Sequence, residues 1–299
     1  MGRAVVVGSI NVDLVFTSDV RPKAGETVLG TTFSTIPGGK GANQAVAASK
    51  LGAESFMIGC VGDDSNGEFS INNLNSMKVD TSFIEKIKGI PTGVANIIVA
   101  EQDNSIIVIP GANYEITIET IDKYKDIILS ADIVLLQLEI PMKVVEYTAK
   151  LCRNNNVRVL LNPAPALELP QSLIEDASYI TPNEHELNII LGKQDDLDET
   201  LKKYPNKVIV TMGSKGVKYF DGSELKIVPS FKVEVVDTTG AGDTFCGGLA
   251  AALVRGDSLS EAIMFANKAA ALSITKLGAQ SGMPTLEEIM KNEELKINN

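Results

Sequence analysis

Short β-branched and leucine-rich runs alternate along this chain with segments whose apolar positions recur every three or four residues. Residues 3–8 (Arg-Ala-Val-Val-Val-Gly) are continuously apolar and end in glycine, the pattern of a strand buried on both faces of a parallel sheet. Residues 55–61, 132–138, 157–161, 178–181 and 207–212 repeat it. Between these runs, residues 42–51, 67–77, 117–130, 141–153 and 184–192 carry helical spacing, as do 243–255, 259–276 and 285–291 further on. Gly52 supplies a left-handed cap to the first of these helices, and Pro141 opens the fourth. Strand–helix alternation on this scale predicts an α/β fold with a mostly parallel central sheet and helices on both faces. Two stretches break the rhythm. Residues 14–16 and 27–33, then 92–100 and 105–109 around Gln102-Asp103-Asn104, alternate with period two and predict about four antiparallel strands. So large an insertion exceeds one strand crossover and reads as a small separate sheet, spanning about 12–36 and 91–110. It would serve as a lid over the strand ends, as an edge extension or as a dimer interface.

Composition narrows the class. With 299 residues, 44% of them hydrophobic, and no internal repeat or linker, the chain reads as a single domain over 1–299 with ample core. A formal net charge of −11 lacks the basic footprint of a nucleic-acid or acidic-membrane partner, although a small anion held by local donors stays open. Three scattered cysteines (Cys60, Cys152, Cys246) in apolar runs read as reduced core residues of a cytoplasmic protein. The N-terminal apolar run is too short for a signal peptide, and no stretch approaches the roughly 20 apolar residues of a membrane span. The single histidine, His185, rules out multi-histidine metal sites and reads as solvated surface.

Candidate chemistry gathers at strand ends, where ligands sit in open α/β sheets. Asn11 and Asp13 follow the first strand, as ligand groups or as turn formers. Glu139 ends the strand at 132–138, and Asn183 with Glu186 follows the strand at 178–181. An apolar alternating run (Phe231, Val233, Val235, Val236) leads into Asp237-Thr238-Thr239-Gly240-Ala241-Gly242-Asp243. Its two glycines and the helix start make an anion nest. Asp243 beside that nest is either the N-cap of the helix or a general base facing the nucleophile of a phosphoryl transfer. Gly38-Gly39-Lys40-Gly41-Ala42-Asn43-Gln44 permits close backbone approach without being a Walker A loop. Gly8-Ser9-Ile10-Asn11 lacks the later glycines of a dinucleotide fingerprint.

The Gly38–Gln44 and Asp237–Asp243 segments, together with Asn183-Glu184-His185-Glu186 as N-x-x-E, identify a chain that resembles the ribokinase-like (phosphofructokinase-B-type) carbohydrate kinases over essentially its whole length. That resemblance implies roles. Asn11, Asp13, Gly39, Lys40, Gly41, Ala42, Asn43 and Glu139 would hold the sugar, with Asp243 as the base. Gly240, Ala241 and Gly242 would bind the transferring phosphoryl group. Asn183, Thr211, Met212, Gly213, Ser214, Lys215, Gly216, Gly242 and Asn267 would line the ATP site, and Glu186 would help organise Mg²⁺. Asp237, Thr239, Ser273, Lys276, Gly278 and Gly282 would surround an activating K⁺. Gly282 departs from the serine common there, which bears on the cation's shell. The resemblance further implies transfer from ATP to the 5-hydroxyl of D-ribose and a homodimer paired through the lid.

The residues themselves agree with a neutral polyol, since the stretch 92–109 carries no Arg or Lys for a sugar phosphate. A related kinase for another sugar or a nucleoside is the nearest rival, although that stretch also lacks aromatics to stack a base. A silent sugar-binding regulator on the same fold would not need Asp243 and the nest.

Overall fold

The computed structural model describes residues 2–101, 103–192, 196–292 and 297. In chain order its elements are β1 (Arg3–Val7), β2 (Asn11–Thr17), β3 (Thr32–Gly38), α1 (Lys40–Lys50), β4 (Glu54–Gly62), α2 (Ser65–Ser76), β5 (Asp80–Ile87), β6 (Gly93–Ala100) and β7 (Asp103–Ile109). A 3₁₀ turn at Gly111–Glu115 leads to α3 (Ile118–Lys123), α4 (Lys125–Leu129), β8 (Ile133–Leu136), α5 (Met142–Asn154), β9 (Arg158–Leu161), α6 (Gln171–Asp176) and β10 (Tyr179–Ile180). Then come α7 (Glu184–Ile190), α8 (Leu197–Lys202), β11 (Ile209–Thr211), β12 (Val217–Phe220), β13 (Leu225–Val228), α9 (Ala241–Arg255), α10 (Leu259–Ser273), α11 (Ala279–Gly282) and α12 (Leu286–Lys291).

Six strands form the central sheet in the order β10-β9-β8-β1-β4-β5, every pairing parallel. Alternation along β1 builds the two cores: Ala4 and Val6 enter one apolar cluster, Val5 and Val7 the other. Both are fully enclosed because helices cover both faces, so the run needs no polar position. Parallel bridges Ile180–Val208 and Asn183–Thr211 carry the sheet on to the antiparallel strands β11-β12-β13. The α/β architecture expected from the alternation is therefore present.

The separate sheet is present too, in the order β3-β2-β6-β7. Its outer pairs are antiparallel, but β2 and β6 run parallel, so the expectation of four antiparallel strands is corrected at the centre. Residues 27–33 also mislead: β3 begins at Thr32, paired with Thr17. This is an exposed edge strand, where burial imposes little pattern. Asp103 starts β7, and Gln102 of the expected turn lies outside the described residues. The helix expected over 117–130 breaks at Tyr124. The run 231–236 is no strand: Val236 N–H and Asp237 N–H both donate to Ile274 O, tying it to the end of α10. β5, β12, β13, α6 and α8 carry weak periodicity and were not anticipated.

Candidate active site

Asp243 is the third residue of α9. The helix starts after Gly240, whose φ of 75° is left-handed, and a side chain there would meet Ala279 Cβ at 2.7 Å. The N-cap reading of Asp243 is thereby corrected. Its carboxylate instead accepts from Asn43 Nδ2 at 2.9 Å and Gln44 Nε2 at 3.0 Å, both on α1. These helices can deliver such contacts because small residues face each other. A Cβ on Gly247 would lie 2.4 Å from Ala47 Cβ and 2.8 Å from Gln44 O, so α9 packs on α1 almost backbone to backbone.

A cavity of about 530 Å³ opens between this helix pair and the inner face of the small sheet. Asn11, Asp13, Gly39, Lys40, Asn43, Glu139 and Asp243 line its polar part, while Ala95, Ile97, Ile106 and Val108 form an apolar wall. Asn11 and Asp13 lie within β2 rather than in a turn, because the chain leaves β1 and pairs with β6 at once. Asn11 Oδ1 accepts from Asn113 Nδ2 at 2.7 Å, which fixes its amide. Glu139 Oε2 accepts from Ser9 Oγ at 2.5 Å and Lys40 N–H at 3.0 Å, pinning the glycine-rich loop. Gly41 and Ala42 sit behind that loop, donating to Ser9 Oγ and Ser9 O, and do not line the cavity.

The charges are unequal: three carboxylates surround one ammonium. Burial, Glu139 and Asp243 push the Asp13 carboxyl up to about 6, with Lys40 pulling the other way. Burial also raises Asp243, opposed by Lys40 and by the hydrogen bonds from Asn43 and Gln44. Burial works to lower the Lys40 ammonium, yet Asp243, Glu139 and Glu186 more than offset it and hold it above the ordinary lysine value.

Beyond Asp243 the space continues. A polar cavity of about 150 Å³ is bounded by Asn183, Glu186, Gly240, Gly242 and Asp243, and it leads to an apolar one of about 520 Å³. Thr211, Ala241, Gly242 and Phe245 line both; Gly213, Ser214, Gly216 and Asn267 line the larger. Met212 and Lys215 line neither, and Lys215 Nζ lies 3.9 Å from a Glu184 carboxylate oxygen. Asn183 and Glu186 form a reciprocal capping box at α7 (2.8 and 2.9 Å). Ala241 N–H donates to Thr238 O at 3.2 Å; Gly242 and Asp243 stand in the first turn of α9, where N–H groups have no intrahelical acceptor.

The proposed cation loop is held by Asp237. Burial favours its neutral form, but bonds from Thr239 N–H, Thr239 Oγ1 and Gly278 N–H hold its pKa below the usual range. A Cβ on Gly282 would fall 2.6 Å from Ser273 O and 3.4 Å from Lys276 O, so glycine leaves those two carbonyls uncovered. The Lys276 ammonium turns away to Glu288 at 2.7 Å. Carbonyl and carboxylate oxygens of this kind suit a hard cation. Among the described residues no group of three or more His, Cys, Asp or Glu could hold a metal ion.

Several residues escaped the sequence reading. Gln44, Asn162, Gln137 and Gln280 surround Asp243 and its partners, and Asn113 braces Asn11. The signal existed for Gln137, a lone polar residue inside the apolar run 132–138.

The fold and these linked cavities define a kinase of small polyols. The chain belongs to the pfkB family of carbohydrate kinases, whose profile matches residues 1–286. It is 50% identical to the ribokinase of Bacillus subtilis (strain 168), over 97% of this chain and 98% of that protein. Among solved structures it is similar to Thermotoga maritima ribokinase (TM-score 0.89, 37% identity, 97% and 99% of the two chains). It is likewise similar to Arabidopsis thaliana ribokinase complexed with ribose and ATP (TM-score 0.88, 32% identity, 97% and 98%).

Proposed function

We propose that this protein transfers the terminal phosphoryl group of ATP to the 5-hydroxyl of D-ribose. The observation that carries the reading is the position of Asp243, on the shared wall between the polyol-sized cavity and the polar cavity at the start of α9. The sugar hydroxyls pair with Asn11, Asp13, Asn43 and Glu139, while the small sheet acts as a lid. The adenine side occupies the apolar cavity and the phosphates lie along Asn183, Glu186 and the Gly240–Gly242 nest. Asp243 takes the proton of the 5-hydroxyl as its oxygen bonds to phosphorus and the bond to ADP breaks. Positioning and charge stabilisation dominate such loose transition states, so a carboxylate base suffices. Mg²⁺ carried by ATP, organised through Glu186, would neutralise phosphate charge. K⁺ at the loop of Asp237, Thr239, Ser273, Lys276, Gly278 and Gly282 would steady the nest.

The relatives' activities and the ribose and ATP bound by the Arabidopsis protein support this reading. So does the absence of Arg from the cavity wall, with Lys40 its single cation among the described residues. Cytoplasmic residence accords with three buried free cysteines. No helix among the described residues is long and apolar enough to cross a membrane. Pairing of two copies through the lid is supported by the exposed Phe16, Phe33, Ile107 and Ile109 on the face away from the cavity.

An ADP-release assay over ribose, deoxyribose, fructose 6-phosphate and adenosine tests the substrate; preference for either of the last two would overturn it. Replacing Asp243 by Asn should lower kcat by about 10²–10⁴ while ATP affinity stays within a few-fold. Near-normal turnover would remove Asp243 from the base role.

A further inference from the structure

Asp243 accepts one amide hydrogen bond on each carboxylate oxygen, and an ionised carboxylate can only accept. Asn43 and Gln44 must therefore turn their NH₂ groups toward it, which commits their amide oxygens to the opposite side. Each oxygen meets one donor there. Gln280 Nε2 donates to Asn43 Oδ1 at 2.9 Å, and Gln137 Nε2 donates to Gln44 Oε1 at 2.6 Å. Gln280 is set in its own sense by Asn73 Nδ2, 2.6 Å from its Oε1. Gln44 Nε2 also reaches Asn162 Oδ1 at 3.1 Å, and Asn162 Nδ2 donates on to Thr181 O. Gln137, Gln44 and Gln280 are all buried, and none of them lines the three cavities. The Gln137 Oε1 atom has no hydrogen-bond partner. Leaving one buried acceptor unmet is costly, so the sense of Gln137 answers to Gln44 rather than to its own surroundings.

Resting on the base role proposed above, we infer that Gln137 and Gln280 are positioning residues for Asp243, one just beyond the end of β8 and one in α11. They lock the amides of Gln44 and Asn43 in the one sense that presents two donors to the carboxylate. A reversed amide would put an oxygen against a charged oxygen. The other groups facing this carboxylate are Lys40, Glu139 and Asp13 across the cavity, Cys246 on its own helix and Glu186 beyond Lys40. None of these contacts Gln137 or Gln280 through the hydrogen bonds described.

The test uses Gln137→Met and Gln280→Met, near-isosteres without the donor. Each should lower kcat about tenfold and move the acidic limb of its pH profile upward, with KM for ATP unchanged, because a charge-assisted hydrogen bond to the base is weakened. Gln280→Met should add nothing in an Asn43→Ala background, nor Gln137→Met in Gln44→Ala. Unmoved limbs, or effects that add in those backgrounds, would overturn the inference. In the unaltered protein, the Asn43 and Gln44 side-chain amide protons should exchange slowly and shift together as Asp243 titrates. Rapid exchange of either pair would count equally against it, which covers a variant that fails to fold. If Asp243→Asn turns over normally, the base reading itself has failed; if it is inactive while the methionine variants match the parent, only the positioning role has.

Discussion

The Asp13 carboxyl sits in β2 with burial, Glu139 and Asp243 raising its pKa to about 6. It therefore takes up a proton as pH falls through about 6 and, in the sugar-binding role proposed above, would lose charge and part of its capacity to accept from sugar hydroxyls. KM for the sugar should rise by up to about tenfold per pH unit below that point while KM for ATP holds steady. The sign for folding is opposite: a carboxyl whose native pKa exceeds its unfolded value is less costly when neutral, so its burial penalty shrinks between about 6 and 3.8 on acidification. Initial rates at varied sugar and pH would check this, and a sugar KM that is flat from pH 7 to 5 would contradict it. Asp243 was recognisable in the sequence because an acid beside an anion nest needs a purpose. Gln44 stood in the other glycine-rich segment, Gly38–Gln44, but nothing local says which way an amide points; that is decided by partners more than 90 residues away.

At the scale of elements, the site depends on how closely α1 approaches α9. Alanines at 42, 45, 47 and 48 were legible as a small-residue helix, but its partner was not, since packing between distant segments leaves no periodicity in either. At Gly247 an added Cβ would lie 2.8 Å from both Ala48 N and Gln44 O of α1. Gly247→Val should push the helices apart, costing about 1–3 kcal/mol of stability. It should also lower kcat, because Asn43 and Gln44 ride on α1 and would withdraw from Asp243. Thermal melting and turnover measured on one preparation would separate the two effects; unchanged kcat in a destabilised variant would show that α1 tolerates the shift. The strands β12 and β13 and the break at Tyr124 were illegible for a related reason, being fixed by neighbours rather than by local pattern.

For the whole molecule, the small sheet is the unusual part, apolar on both faces. Ile106 and Val108 face the cavity, whereas Ile107, 65% exposed, and Ile109 face outward. An exposed apolar face of this kind marks a contact surface. Ile107→Glu should yield monomers at concentrations where the parent sediments as a dimer, leaving the helical content intact. A parent that sediments as a monomer throughout would remove the pairing proposal.

The crowding of Asp13, Glu139 and Asp243 around Lys40 has a consequence for the end of the cycle. An uncharged sugar enters this pocket without electrostatic cost, but the molecule formed there carries a phosphate dianion. In the proposed reaction Asp243 ends carrying the proton; once that proton passes to solvent, three carboxylates facing one cation would repel the product. Expulsion would then follow from the same charges proposed to grip the hydroxyls. The phosphorylated sugar should accordingly be a weak competitive inhibitor, with Ki well above the sugar's KM in steady-state assays.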